Sequence, residues 1–148
     1  MTTIAYNHKD KELAVDSQVT SGDLATSITT KKIHRIDGAW VAFCGSLVVV
    51  EEFIWAFDKD VTNLGSLTDE ISGIVMYDTG SVYNVFINPL GRVVKLKINE
   101  NFAAGSGRSI ALGALFVGAT ATQAVKAAIR YDIYSGGRTI TKKMGDLK

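Results

Sequence analysis

Short apolar runs separated by polar turns dominate the first half of the chain. Thr2–His8 is rich in β-branched residues and partly alternating, and Lys9-Asp10-Lys11 is a polar turn. Leu13–Thr20 carries apolar residues at Leu13, Val15 and Val19, so the two segments predict a hairpin. Ser21–Thr30 is dense in Ser, Thr, Gly and Asp and reads as a loop. Lys31–Ile36 and Ala39–Cys44 form a second predicted hairpin around Asp37-Gly38, a pair suited to a turn with positive φ. Ser46 is a candidate cap for a helix over Leu47–Phe57. That segment is apolar on several sides, which calls for burial between layers.

Val61–Ser72 is polar and holds no helical period. Ile74–Tyr77, Val82–Ile87 and Val93–Ile98 follow as strands, joined by Asp78-Thr79-Gly80 and Asn88-Pro89-Leu90-Gly91. The period then changes. Arg108–Val117 and Thr122–Ile133 read as Ala- and Leu-rich helices separated near Gly118, Ser135-Gly136-Gly137 breaks the chain, and Arg138–Lys143 reads as a last strand. Antiparallel hairpins with helices collected in blocks predict an α+β layered fold in place of a parallel sheet.

At 148 residues the chain suits a single domain, and no linker or repeat divides it. The net charge of +1 argues against a nucleic-acid surface. The longest apolar stretches, Val41–Val50 and Ile110–Val117, are too short to span a bilayer, and no secretory signal opens the chain. Cys44 is the only cysteine, so the default compartment is reducing and the expected location cytoplasmic.

Candidate chemistry begins at Met1-Thr2-Thr3. Methionine before a small residue is usually removed. Thr2 would then carry both a hydroxyl and an α-amine, and an α-amine with a pKa of about 7.7–8.0 can take a proton near neutrality. Many unrelated chains begin the same way. Asp16 borders an apolar strand, a common place for a turn residue. Lys31-Lys32 reads as a solvated strand start. Gly105-Ser106-Gly107 suits either a loop with a helix cap or an anion site, and Asp132 to Gly137 suits a glycine-stopped helix end. His8 and His34 have no partner at metal-ligand spacing, so no metal or cofactor is expected. No serine sits in a nucleophile-elbow pattern. Cys44 reads as a small buried residue beside Gly45.

Taken in order, these motifs resemble the proteasome β-subunit family and the ring protease of the bacterial ATP-dependent system. The matching stretches are Thr2-Thr3-Ile4, Ala14-Val15-Asp16-Ser17, Lys31-Lys32-Ile33, Cys44-Gly45-Ser46, Gly105-Ser106-Gly107 and Asp132-Ile133-Tyr134-Ser135-Gly136-Gly137. The resemblance spans nearly the whole chain. It implies the four-layer αββα sandwich of N-terminal-nucleophile hydrolases, built from two antiparallel sheets. It also implies a threonine protease. Thr2 would be nucleophile and base, Lys32 would tune it, Asp16 would orient Lys32, and the Gly45 N–H would hold the oxyanion. Ser106, Asp132 and Ser135 would surround the α-amine. The implied setting is a homo-oligomeric ring acting on polypeptide, with an AAA+ unfoldase as a possible partner.

One departure concerns Val61–Ser72, where the family carries a second helix and this sequence has about a dozen polar-leaning residues, implying a reduced helical layer. Another is that nothing precedes Thr2 except Met1, so maturation would need only methionine removal. An amidase of the same fold acting on a small amide is a second reading. A non-catalytic assembly protein is a third, against which Thr2, Asp16 and Lys32 all weigh.

Overall fold

In the computed structural model, which describes residues 1–22, 24–58 and 71–147, the elements run β1 (Thr3–Asn7), β2 (Glu12–Val15), β3 (Val19–Ser21), β4 (Leu24–Ser27), β5 (Ile33–Ile36), β6 (Ala39–Cys44), α1 (Leu47–Asp58), β7 (Ser72–Tyr77), β8 (Val82–Ile87), β9 (Val93–Lys97), β10 (Phe102–Gly105), α2 (Arg108–Phe116), α3 (Ala121–Tyr131) and β11 (Ile140–Lys143). One sheet has the order β10-β1-β2-β11 and another β5-β6-β7-β8-β9, with every pairing antiparallel.

Three apolar clusters tie these elements together. Ile4, Tyr6, Leu13 and Val15 of the four-stranded sheet meet Ile33, Trp40, Ala42, Ile74 and Met76 of the five-stranded sheet. The alternate residues Val41, Phe43 and Val75 turn the other way and meet Val50 and Phe53 of α1. Period-two alternation along β6 therefore serves two different packing faces. On the back of β1 and β2, Ala5 pairs with Ala14 and meets Ala111, Leu115, Ala124 and Val125 of α2 and α3. Because β1 is buried on both faces, its sequence shows little polar alternation.

The predicted turn at Asp37-Gly38 has φ values of 36° and 75°. Three differences from the sequence reading have physical causes. Leu13–Thr20 is not one strand: the chain leaves the ladder at Asp16-Ser17-Gln18, where the Asp16 carboxylate and the Ser17 amide are engaged by other segments. Val19–Ser21 instead pairs with Leu24–Ser27, so part of the expected loop at Ser21–Thr30 is a small hairpin. The strand Phe102–Gly105 was not predicted, because Phe-Ala-Ala-Gly offers neither alternation nor a β-branched residue; pairing with β1 makes it a strand. The expected loss of a second helix in Val61–Ser72 lies outside the described residues as far as residue 70; Ser72 opens β7.

Candidate functional site

Where β1 begins, two hydrogen-bond networks converge on Met1-Thr2-Thr3. The first centres on Asp16, which is fully buried. Its Oδ1 accepts from the Thr3 backbone N–H at 3.0 Å and from Lys32 Nζ at 2.9 Å, while Oδ2 accepts from the Gly136 N–H at 3.0 Å. Lys32 Nζ also donates to the Met1 carbonyl at 2.9 Å. One carboxylate thus joins the start of β1, the entry to β5 and the turn before β11. Burial lowers the Lys32 pKa, and the Asp16 carboxylate opposes that shift.

The second network is directional. Asp132 Oδ2 accepts from Ser106 Oγ and from Ser135 Oγ, each at 2.6 Å. With its single proton committed to Asp132, Ser135 can only accept from the Thr3 hydroxyl, 2.6 Å away. Thr3 Oγ1 in turn accepts from the Gly107 N–H at 3.1 Å. Burial pushes the Asp132 carboxyl up, but hydrogen bonds from Ser106, Ser135 and the Tyr134 N–H outweigh it and hold the pKa below its ordinary value.

Glycine is a steric requirement here. A Cβ on Gly105, which sits at φ +94°, would lie 1.8 Å from the Thr2 carbonyl oxygen. The backbone closes at this point through the Ser106 N–H, which donates to that same oxygen at 2.9 Å. α2 begins at once, with Gly107 as its N-cap.

Thr2, Lys32, Gly45 and Ser106 share a cleft of about 1010 Å³, also lined by His34 and Cys44. Gly45 has φ 151°, outside the range most side chains adopt. Burial lowers the His34 pKa. Cys44, read from the sequence as a small buried residue beside Gly45, is half-buried, because it borders this cleft. Its thiol donates to the Ser72 carbonyl at 3.0 Å, and burial raises its pKa.

Of the seven residues singled out in the sequence, Thr2, Lys32, Gly45 and Ser106 line the cleft, while Asp16 stands behind it through its bond to Lys32, and Asp132, bonded to Ser106, brings in Ser135. Sequence reasoning missed Thr3 and Gly136 as members of these networks. Their positions, adjoining Thr2 and Ser135, were the available signal. The N-terminal amine belongs to Met1, and its pKa is lowered by burial and then by Lys32.

No protein-family model and no curated protein matches the sequence. Solved structures do. BPH from Thiobacillus denitrificans in complex with epoxomicin superposes with a TM-score of 0.68 at 16% identity, covering 99% of this chain and 100% of that one. Eukaryotic HslV from Trypanosoma brucei gives a TM-score of 0.67 at 22% identity, covering 95% and 97%. A second structure of Thiobacillus denitrificans BPH gives 0.65 at 17%, covering 97% and 98%. Matched along nearly its whole length, this chain has the fold of the proteasome β-subunit and HslV family.

Proposed function

We propose that the chain is a threonine-type endopeptidase that acts through an acyl-enzyme on Thr2 once Met1 has been removed. The observation that carries this reading is the placement of the Met1-Thr2 peptide between the Asp16–Lys32 ion pair and the Ser106–Asp132–Ser135 cluster, at the mouth of a cleft. While Met1 is attached, the Thr2 nitrogen is an amide and cannot accept a proton. Its removal makes that nitrogen an amine beside Lys32, whose charge favours the neutral, basic form.

The amine then takes the proton from Thr2 Oγ as the oxygen attacks the scissile carbonyl. The Gly45 N–H stabilises the oxyanion, a contribution of about 3–4 kcal/mol for one donor. Collapse breaks the C–N bond, and the ammonium gives its proton to the departing amine, leaving an ester on Thr2. Water, deprotonated by the same amine, hydrolyses the ester and restores the threonine. Asp16 keeps Lys32 oriented, while Ser106, Asp132 and Ser135 fix the amine.

The same reading takes residues 1–148 as one domain, a four-layer αββα sandwich with α1 outside the five-stranded sheet and α2 and α3 outside the other. The three apolar clusters support that order. It further takes the setting to be a cytoplasmic homo-oligomeric ring fed with polypeptide, with an AAA+ unfoldase as a candidate partner. Among the described residues, no helix is long and apolar enough to cross a membrane.

Intact mass after treatment with a peptide epoxyketone tests the chemistry. The expected product lacks Met1 and carries one inhibitor on Thr2. A chain that lacks Met1 and still takes up no inhibitor, with no hydrolysis of fluorogenic peptides, would overturn the reading.

A further inference from the structure

A second cavity, of about 430 Å³, opens where the outer strand of each main sheet lies, at β5 and at β11. Its walls repeat one pattern. Lys31, Ile33 and Arg35 line it from the β5 side at two-residue spacing, and Arg138, Ile140 and Lys142 line it from the β11 side at the same spacing. Period two puts Ile33 with Arg35 on one face of β5 and Ile140 with Lys142 on one face of β11, and Lys31 and Arg138 line the same cavity from just ahead of those strands. Each wall is therefore cation, isoleucine, cation.

Trp40 stands behind them, 3% exposed, with the Arg35 guanidinium 5.3 Å and the Lys142 ammonium 4.8 Å from its ring. Those contacts hold the two cations in place before anything binds. Arg35 is paired with Asp78. Among the described residues, Lys31, Arg138 and Lys142 form no ion pair. Covering the open end of a sheet pair with lysine and arginine stems is ordinary. Two matched trios around a cavity, with three of the cations unpaired, go beyond that.

We propose that this slot binds an extended acidic peptide segment in which acidic residues flank an apolar one at alternating positions. An added strand at a sheet edge takes its affinity from main-chain hydrogen bonds and its specificity from alternate side-chain pockets. Here the half-buried Ile140 gives the central position an apolar contact, over a floor closed by the buried Ile33 and Trp40, and the outer positions are cationic. Single-stranded nucleic acid is disfavoured because it needs exposed aromatic faces for stacking, and Trp40 is buried. Lys31 also lines the Thr2 cleft, so the two sites adjoin, while Ile33, Arg35, Arg138, Ile140 and Lys142 line this slot and not that cleft; peptide binding here needs no chemistry at Thr2.

The test uses the full chain carrying Thr2→Ala, so that no peptide is cleaved, and a fluorescein-labelled Glu-Val-Glu-Val-Glu peptide followed by anisotropy. The expected Kd is below about 100 µM and rises with salt. Arg138→Glu, at an exposed side chain, should weaken binding about tenfold, and the Arg138→Glu/Lys142→Glu pair should weaken it further. Lys142→Arg should keep the parent affinity, and a Lys-Val-Lys-Val-Lys peptide should not bind. Equal affinity for the Arg138→Glu variant would overturn the proposal. So would an acidic peptide that fails to bind where tripolyphosphate does, since the site would then be one for free anions.

Discussion

A single carboxylate oxygen, Asp16 Oδ1, accepts both the Lys32 ammonium at 2.9 Å and the Thr3 backbone N–H at 3.0 Å. The lysine is thereby fixed in register with the first strand, two residues along from Met1, whose carbonyl it also touches. With side-chain exposures of 7% and 0%, neither partner of the pair can recover hydration if the other is lost. Asp16→Ala should therefore destabilise the fold by about 3–5 kcal/mol, the range for breaking a buried pair. Asp16→Asn should cost less, because its amide oxygen can still accept. Urea unfolding of the three proteins gives the comparison, and an Asp16→Ala variant as stable as the parent would contradict the geometry.

Under the proposed mechanism, Thr2→Ala abolishes hydrolysis in a protein that remains folded. Lys32→Ala should slow it about a hundredfold or more, and Lys32→Arg should restore only part, because a guanidinium is larger and planar. The pH profile has a defined sign. The base is the neutral Thr2 α-amine freed by Met1 removal, so the rate should fall as pH drops through its pKa, which the neighbouring Lys32 charge should hold below the ordinary value of roughly 7.7–8.0. Removing the Lys32 charge makes protonation easier, so the acid limb of the residual activity should move to higher pH. Rate measurements from pH 6 to 9 decide it, and a limb that stays in place or moves lower counts against this role for Lys32.

Steric demand at the site gives a matched pair of substitutions. A Cβ at Gly105 would meet the Thr2 carbonyl oxygen at 1.8 Å on a backbone at φ +94°, and one at Gly107 would meet Thr3 Oγ1 at 2.2 Å. Each change to alanine should destabilise by more than ~1 kcal/mol and should lower activity. Gly113 lies inside α2, and a methyl group there would have nothing within 4 Å, so it should instead gain about 0.5–1 kcal/mol as alanine. Thermal unfolding of the three variants should show opposite signs.

How far the sequence foretold this structure differs along the chain. The five-stranded sheet was legible because β6, β7 and β8 are long enough to show their pattern and the sheet's turns carry Asp-Gly, Asp-Thr-Gly and Asn-Pro-Leu-Gly. Thr120 and Gln123 form a capping box at the start of α3, a strong local signal that places the helix one residue before the predicted Thr122. The strand at Phe102–Gly105 carried no such signal, since its existence depends on β1, about 100 positions away in sequence. The site was legible as a family resemblance spread over six short motifs. The bonds that the Thr3 and Gly136 N–H groups give to Asp16 were not, because a backbone N–H leaves no mark in the sequence, and the Thr3 hydroxyl reaches Ser135 and Gly107 only through long-range packing. Gly136 is visible only as a glycine, yet its N–H is one of three donors on Asp16.

Self-association is the expectation with the widest consequence, because a ring would decide which substrates reach Thr2. Two helices over the long apolar runs of the sequence, α1 and α2, each divide their apolar residues between the core and the surface. On α1, Val50, Phe53 and Ala56 are buried, while Leu47, Val48 and Trp55 remain exposed. On α2, Ala111 and Leu115 are buried, while Leu112 and Phe116 remain exposed, Phe116 at 89%. Each helix thus spends one apolar face on its own sheet and presents another to solvent, the kind of patch that marks an interface. A ring joins unlike surfaces head to tail, so two separate patches suit it better than one. Light scattering at tens of micromolar should give a closed oligomer. Trp55→Glu and Phe116→Glu should each weaken it by ~2 kcal/mol or more, the scale of a central aromatic contact. Both side chains lie outside the core, so monomer stability should stay within about 0.5 kcal/mol. A parent that is monomeric at that concentration, or an oligomer indifferent to both substitutions, would remove these faces from the assembly.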